Sequence, residues 1–266
     1  MTEPVLLEVD GGIATVTLNR PQALNALSDD MIPALVEVMA KVETDAAVRC
    51  VVLRGAGDHF MAGGDIKGFH GRLSESTPTE RGAHFRDKIH SLHPAIVSMR
   101  RMPKPVIASL RGAAAGFGLS LALATDLAIA ADDAYFTLAY CLIGTSPDGG
   151  SSYHLTRLVG LRKAMEIALL GERFNAEAAH ALGLVNWVVP GEELDADAAK
   201  LAGRLASGPG HALGETKALL NASFDNALPA QLALEAESFA RCAATQDFAE
   251  GVTAFIEKRP AAFQGK

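Results

Sequence analysis

Residues 111–126 read RGAAAGFGLSLALATD, a glycine-spaced turn that runs directly into an apolar helix. Gly112, Gly116 and Gly118 remove side chains where the backbone begins to coil, so the first helical turn can present unpaired N–H groups. A helix N-terminus carries about half a positive charge, which stabilises a phosphate, a carboxylate or an oxygen that becomes negative during a reaction. Close helix packing would explain the same glycines, so this stretch alone leaves a binding role and a packing role open.

The segments before this turn predict a set of strands. Residues 5–9 and 13–18 alternate apolar and polar side chains around the turn sequence DGG, which predicts a β-hairpin. Apolar runs at 49–54 and 106–110 predict buried strands. The second of these leads straight into the glycine turn, so the two form a strand–turn–helix unit that can present backbone amides to a ligand.

The rest of the chain changes from strand-rich to helical. The other predicted segments of the first half are a glycine-dense loop (55–71), a mobile excursion (73–80), a helix (81–102) broken near Pro94, and short strands (126–131 and 134–139). After residue 160 the pattern is mainly that of amphipathic helices. The sequence therefore predicts an α/β fold, with a core domain over 1–200 and a helical region over 201–266.

The composition and charge exclude several classes of protein. The 266 residues are 49% hydrophobic and 21% charged, which is typical of an ordinary soluble domain and not of a disordered or fibrous chain. The net charge of −7, without a basic cluster, argues against nucleic acid or an anionic membrane as a partner. The N-terminus shows no secretory signal and the longest apolar run is too short to cross a bilayer, so we expect a cytoplasmic protein.

The cysteines and histidines do not indicate a metal site. Cys50, Cys141 and Cys242 are widely separated in the sequence, and we expect them to be buried thiols of a reducing compartment. The eight histidines do not pair with carboxylates at the spacing of metal ligands. The sequence thus predicts no metal.

Four motifs, in this order, resemble those of the crotonase superfamily, the enoyl-CoA hydratases and isomerases. They are NRPQALNAL at 19–27, FMAGGDIK at 60–67, KPVIASLRGAAAGFG at 104–118 and LGLVNWVVP at 182–190. The resemblance runs from end to end and implies a spiral of strand–strand–helix turns. It also implies a C-terminal helical region that forms trimers or stacked pairs of trimers. The implied ligand is an acyl-CoA thioester, with coenzyme A as part of the substrate and no separate cofactor.

The resemblance assigns an oxyanion hole to two backbone N–H groups, those of Gly64 and Phe117. When a proton leaves the carbon next to a thioester, the carbonyl oxygen gains negative charge. Two amides aimed at that oxygen in a dry site can lower the barrier by about 3–4 kcal/mol per donor. Phe117 stands where the family usually has glycine, but the donor is main chain, so its role survives while the side chain could narrow the acyl pocket.

The acid–base positions indicate which reaction to expect. Hydratases of this family carry two glutamates, and those positions are here Ser120 and Tyr140, neither of which can serve as a carboxylate base. Isomerases of the family place a single carboxylate in the loop that here contains Asp148. Pro-Asp-Gly is also an ordinary turn sequence. The resemblance therefore implies an isomerase that shifts a double bond between 3-enoyl-CoA and 2-enoyl-CoA, with Asp148 as the base.

Other reactions on the same ligand stay open. His93 resembles the base of 4-chlorobenzoyl-CoA dehalogenases, and Asp148 falls at the position of their nucleophile. The tryptophan that orients that nucleophile would fall on Tyr140, which weakens this match. The further alternatives are thioester hydrolysis, enoyl-CoA hydration and a non-catalytic CoA-binding protein.

Five more residues are expected near coenzyme A through the resemblance. Arg20 and Lys67 match basic positions beside the ligand, and Lys67 is the better candidate for a phosphate or ribose. Ala62 and Ile66 would flank the adenine through main-chain contacts. Asp65 would brace its loop by hydrogen bonds. Solvated surface charge is the competing explanation for both basic residues.

Overall fold

A hairpin of two strands, β1 (Val5–Asp10) and β2 (Ile13–Leu18), opens the chain in the computed structural model, which describes residues 3–266. The remaining strands are β3 (Cys50–Gly55), β4 (Val106–Leu110), β5 (Ala113–Ala115), β6 (Leu127–Ala131), β7 (Tyr135–Thr137), β8 (Phe174–Asn175) and β9 (Trp187–Val189). The helices are α1 (Met31–Thr44), α2 (Ile66–Glu75), α3 (Pro78–Arg101), α4 (Phe117–Leu123), α5 (Ser151–Leu170), α6 (Ala176–Ala181), α7 (Leu194–Ala206), α8 (Gly210–Ala222), α9 (Leu228–Ala243) and α10 (Gln246–Glu257).

The strands form two sheets. The larger has the order β1-β2-β3-β4-β6-β9 and is parallel except for the β1–β2 pair, and the smaller has the order β5-β7-β8. Each new parallel strand needs a long connection back, which the helices between strands supply. The chain is therefore an α/β protein, as the sequence predicts.

The central strands are buried on both faces, which explains their continuous apolar sequences. Val51 and Leu53 of β3 face the larger apolar core with α1 and α3. Cys50 and Val52 alternate with these two residues along β3 and point to the other face of the sheet. There they contact a second core, which α7 covers with alanines and leucines. Burying such side chains contributes about 1.5–3 kcal/mol each, so both sides of the sheet stabilise the frame that carries the site.

Two helical predictions differ from the structure. The predicted excursion at 73–80 is mostly helical, because α2 continues to Glu75 and α3 begins at Pro78. Thr77 starts α3 with a capping box, in which its side chain accepts from the Glu80 N–H while the Glu80 side chain accepts from the Thr77 N–H. The predicted break near Pro94 is wrong, since α3 runs through this residue. Pro94 is exposed, so water can reach the carbonyl that loses its partner there.

The cysteine prediction is correct for one residue of three. Cys50 is buried in β3, whereas Cys242 is half-buried and Cys141 is exposed in a short 3₁₀ turn. Among the residues described, no helix has both the length and the hydrophobicity that crossing a membrane would require.

One lysine whose side chain is largely shielded from solvent links α8 to the sheet. Lys217 of α8 lies 2.7 Å from the Asp126 carboxylate, and it donates hydrogen bonds to the carbonyls of Met99 (2.7 Å) and Lys104 (2.9 Å). Asp126 also accepts from the Val106 N–H at the start of β4 (2.8 Å). Residue 200, the predicted domain boundary, falls within α7 on the sheet, and the division into two regions stays a prediction.

Replacing Lys217 by methionine should lower the free energy of unfolding by about 3–5 kcal/mol, because the buried Asp126 carboxylate loses its main counter-charge. Denaturant unfolding measures this change. The matched control is Lys163→Met, which breaks the exposed pair with Glu166 (2.7 Å) and should cost less than about 1 kcal/mol. Equal effects of the two substitutions would contradict an anchoring role for Lys217.

Candidate active site

A cleft of about 600 Å³ brings most of the predicted site residues together. It lies where the loop after β3, the start of α4, the middle of α3 and the loop before α5 meet. Among the residues that line it are Gly64, Phe117, Asp148, His93, Tyr140 and Lys88. The cleft is large enough for an acyl group and open enough to admit a ligand from solvent.

The first feature of the cleft is the free amide at the start of α4. Gly116 has φ 52° and ψ −122°, a conformation that a side chain would disfavour, and it turns the chain from β5 into the helix. The Gly116 N–H donates to the Thr137 carbonyl (2.9 Å), whereas the Phe117 N–H has no acceptor within residues 3–266. The Phe117 amide is thus left for a ligand, at the positive end of a short helix.

The second free amide is that of Gly64. Leu27 pairs with this loop as in a parallel sheet: its N–H donates to the Gly63 carbonyl (2.7 Å), and its carbonyl accepts from the Asp65 N–H (3.2 Å). In such a pairing the intervening N–H points away from the partner strand. The Gly64 N–H accordingly has no acceptor among the residues described and faces the other way.

A main-chain bridge holds the two amide-bearing segments side by side. The Met61 N–H donates to the Ala113 carbonyl (2.8 Å), and the Met61 carbonyl accepts from the Ala115 N–H (2.9 Å). The approach is so close that a Cβ on Gly63 would lie 3.1 Å from the Ala115 carbonyl oxygen. The two amides without acceptors therefore lie in backbone segments that main-chain hydrogen bonds hold together.

Asp148 lines the cleft from the turn before α5. The Tyr140 hydroxyl donates a hydrogen bond to Asp148 Oδ1, and the Ser120 Oγ lies 3.1 Å from the same hydroxyl. Burial raises the pKa of Asp148, while the bond from Tyr140 and the positive charges of His93 and Lys88 oppose that rise. Burial raises the pKa of Tyr140, and the negative charge of Asp148 raises it further. The raised pKa keeps the Tyr140 hydroxyl protonated at neutral pH, so it can donate to Asp148.

The predicted ligand contacts separate into two groups. Ala62 and Ile66 line the cleft, whereas Lys67 is exposed outside its lining. The Arg20 side chain instead contacts nearby groups of the protein. It donates a hydrogen bond to the Ala26 carbonyl (2.6 Å) and pairs with the Asp65 carboxylate (3.2 Å).

Asp65 caps the first turn of α2. Its side chain accepts from the Gly68 N–H (3.2 Å), and the hydrogen bond from Arg20 contributes to the lowered pKa of this carboxyl, which burial opposes. The structure thus gives Arg20 and Asp65 a bracing geometry next to Gly64, and the ligand roles of Arg20 and Lys67 stay predictions.

Sequence reasoning missed two participants in the cleft. Lys88 lines it from α3 and also pairs with Asp29 (2.6 Å). The available signal was its spacing from Leu92, because residues four apart share one helix face. The family resemblance places Tyr140 at the position of a hydratase glutamate and of the tryptophan that orients the dehalogenase nucleophile, but no sequence pattern shows that the Tyr140 hydroxyl would donate to Asp148.

Known proteins resemble this chain over nearly its whole length. The profile of the family described as enoyl-CoA hydratase/isomerase matches residues 8–266. The chain is 38% identical to 1,2-epoxyphenylacetyl-CoA isomerase from Escherichia coli strain K12, with 100% of each chain covered. It is also 38% identical to crotonyl-CoA hydratase from Syntrophomonas wolfei, over 99% of each chain. A solved structure of an enoyl-CoA hydratase from Polaromonas sp. JS666 superposes with a TM-score of 0.90 at 36% identity, covering 98% of this chain and 99% of that one.

The turn that carries Asp148 can be tested with two alanine substitutions. Gly149 has φ 62°, and a Cβ there would lie 2.7 Å from the Phe117 ring and 2.9 Å from the Ser120 Cβ. Gly144 in the same loop has φ 73° and nothing within 4 Å of its Cβ position. Gly144→Ala should therefore cost only the backbone strain of about 1–2 kcal/mol.

Gly149→Ala should cost about 1–3 kcal/mol more than its control, because the added methyl overpacks the contact with α4. Thermal and denaturant unfolding of the two variants measure the difference. Identical losses would mean that the Asp148 turn does not depend on packing against Phe117.

Proposed function

Since the chain belongs to the enoyl-CoA hydratase/isomerase family, we propose that it shifts a carbon–carbon double bond of an acyl-CoA between the 3,4 and 2,3 positions. Enzymes of this family act on acyl-CoA thioesters, and relatives of this chain carry both isomerase and hydratase names. One observation carries the choice of isomerisation. Within residues 3–266, Asp148 is the single acidic side chain that lines the cleft with the two free amides.

The proposed reaction begins with the thioester oxygen between the Gly64 and Phe117 amides. Asp148 removes a proton from C2 of a 3-enoyl-CoA, and the electron pair of that C–H bond moves toward the carbonyl, giving a dienolate. The two amides stabilise the negative charge on its oxygen. The protonated Asp148 then returns the same proton to C4, and the double bond comes to rest between C2 and C3. No water is consumed, so one base is sufficient.

A second function has one specific observation in its favour. His93 lines the same cleft as Asp148, as an aryl-CoA dehalogenation with carboxylate attack and histidine-activated water would require. Release of chloride from a chlorobenzoyl-CoA, lost in His93→Gln, would favour that reaction over isomerisation. Hydration of an enoyl-CoA is less supported, because Ser120 and Tyr140 stand where hydratases of the family carry glutamates.

The contacts with coenzyme A are also part of the proposal. Ala62 and Ile66, which line the cleft next to Gly64, would contact the nucleotide portion through the main chain. Lys67 is exposed at the start of α2 and is free to reach a phosphate in solvent. Arg20 would act on the ligand indirectly, by holding Asp65 and the Gly64 loop.

We further propose that the chain is a homotrimer or a pair of stacked trimers built on its C-terminal region, 201–266. Phe255 and Ile256 of α10 are 87% and 74% exposed, and Phe239 of α9 is 68% exposed. Apolar surface of this extent is unusual on a monomer. Light scattering should give three or six times the chain mass of 27.8 kDa, and Phe255→Glu should reduce that mass. A mass of one chain for the unaltered protein would contradict the assembly.

Replacing Asp148 by asparagine should reduce the interconversion of 3-enoyl-CoA and 2-enoyl-CoA by about 10²–10⁴-fold, because the amide cannot accept the C2 proton. The shift of the double bond is followed spectrophotometrically. Asp133→Asn, an exposed aspartate outside the cleft, is the control and should keep full activity.

The pH profile gives the same test a second readout. Asp148 must be ionised to act as the base, so the rate should rise with pH as this group loses its proton. Burial raises its pKa above the ordinary value of 3.8, so the acid limb should lie above the range of an exposed aspartate. Full activity of Asp148→Asn would rule out this carboxylate as the base.

A further inference from the structure

We propose that Tyr140, itself oriented by Ser120, is a positioning residue that reserves one oxygen of Asp148 for proton transfer. This inference rests on the proposed function, in which Asp148 is the base. It assigns a specific role to two residues that stand where related hydratases carry carboxylates.

The backbone around Tyr140 is built to hold its side chain in place. Ala139, immediately before it, has φ 50°, which for a residue with a side chain costs about 1–2 kcal/mol and indicates a constrained position. The Tyr140 carbonyl accepts from the Thr145 N–H (3.1 Å), which closes a tight turn over residues 140–145. Asp148 follows this turn by three residues, and the side-chain hydrogen bond joins it back to Tyr140.

The number of available protons fixes the direction of the hydrogen bonds. A tyrosine hydroxyl has one proton, and at Tyr140 that proton is donated to Asp148 Oδ1. The oxygen of Tyr140 must then accept from Ser120, whose Oγ lies 3.1 Å away. The alternative acceptor for Ser120, the Gly116 carbonyl, is farther at 3.4 Å. The chain of donation therefore runs from Ser120 to Tyr140 to Asp148.

This arrangement makes the two oxygens of Asp148 different. Oδ1 accepts from Tyr140 whether or not the carboxyl is protonated, so the transferred proton must reside on Oδ2. Within residues 3–266, no other side chain donates a hydrogen bond to this carboxylate. A free carboxylate could rotate and exchange its oxygens, and the bond from Tyr140 prevents this. The same oxygen can therefore take the proton from C2 and return it to C4.

Ser120 connects this base to the oxyanion helix. It is completely buried in α4, one turn after Phe117, so its hydroxyl has a fixed position relative to the Phe117 amide. Asp148, through Tyr140 and Ser120, and the Phe117 amide are therefore both held in position by α4. Catalytic groups need such placement to within a fraction of an ångström.

The test compares Tyr140→Phe and Ser120→Ala with the control Tyr153→Phe. Tyr153 lies on α5 outside the cleft lining, and its ring contacts the Arg157 guanidinium. Tyr140→Phe should lower kcat by at least 10-fold with KM changed by less than about 3-fold, because the base loses its orientation while the binding groups remain. Ser120→Ala should show the same effect more weakly, and Tyr153→Phe should show none.

The pH profile distinguishes positioning from a general structural defect. Loss of a donor to the carboxylate should raise the pKa of Asp148 by about one unit in Tyr140→Phe, and the acid limb of kcat/KM should move by the same amount. His93 and Lys88 on α3 are the charged groups that face Asp148 and remain unchanged. A structural defect alone would lower activity without moving this limb.

A measurement without turnover separates this inference from the proposed function. Carbon-13 NMR of aspartate carboxyls, with the Asp148 signal assigned by its absence in Asp148→Asn, gives the pKa of this group directly. An unchanged value in Tyr140→Phe, together with an unchanged acid limb, would overturn the positioning role. If Asp148→Asn keeps full isomerase activity while the Asp148 signal still shifts in Tyr140→Phe, the pairing stands and the proposed reaction fails.

Discussion

The candidate site depends on the main-chain pairing between Met61 and Ala114. The hydrogen bonds of this bridge lay the loop after β3 along β5, which leads directly into α4. The neighbouring backbone groups form hydrogen bonds that hold the two segments together, whereas the N–H groups of Gly64 and Phe117 have no partners in residues 3–266. In the proposed reaction, donors held in this way would need little reorganisation when negative charge develops on the thioester oxygen.

The sheet makes that pairing rigid. β3 and β4 are neighbours in the larger sheet, so the segments that leave them at Gly55 and Leu110 start from adjacent positions. The two segments then meet again at the bridge with β5. On the other side, the ion pair of Lys217 with Asp126 connects α8 to the junction before β6. The site is therefore supported by elements with little freedom to move.

Local and motif-level signals predicted much of this arrangement. The hairpin, the buried strands β3 and β4 and the start of α4 follow from periodicity and glycine placement. Gly64, Phe117, Ala62 and Ile66 of the cleft lie in the four motifs, and Asp148 and His93 were assigned through the family resemblance. The start of α2 at Ile66 lies inside the segment predicted as a glycine-dense loop, and Asp65, which caps this helix, pairs with Arg20, a residue distant in sequence. Tyr140, which donates to Asp148, follows Ala139, whose positive φ no composition rule indicates.

The identity of residue 140 also decides how many bases the cleft can hold. A carboxylate next to Asp148 would repel it and push one of the two toward the protonated form. A phenol of raised pKa does the opposite: it remains neutral and donates to Asp148, which offsets part of the cost of burying that charge. Within residues 3–266, the cleft thus keeps one carboxylate instead of a coupled pair. A 1,3-proton shift needs one base, whereas the addition of water by two cooperating carboxylates does not fit this set of side chains.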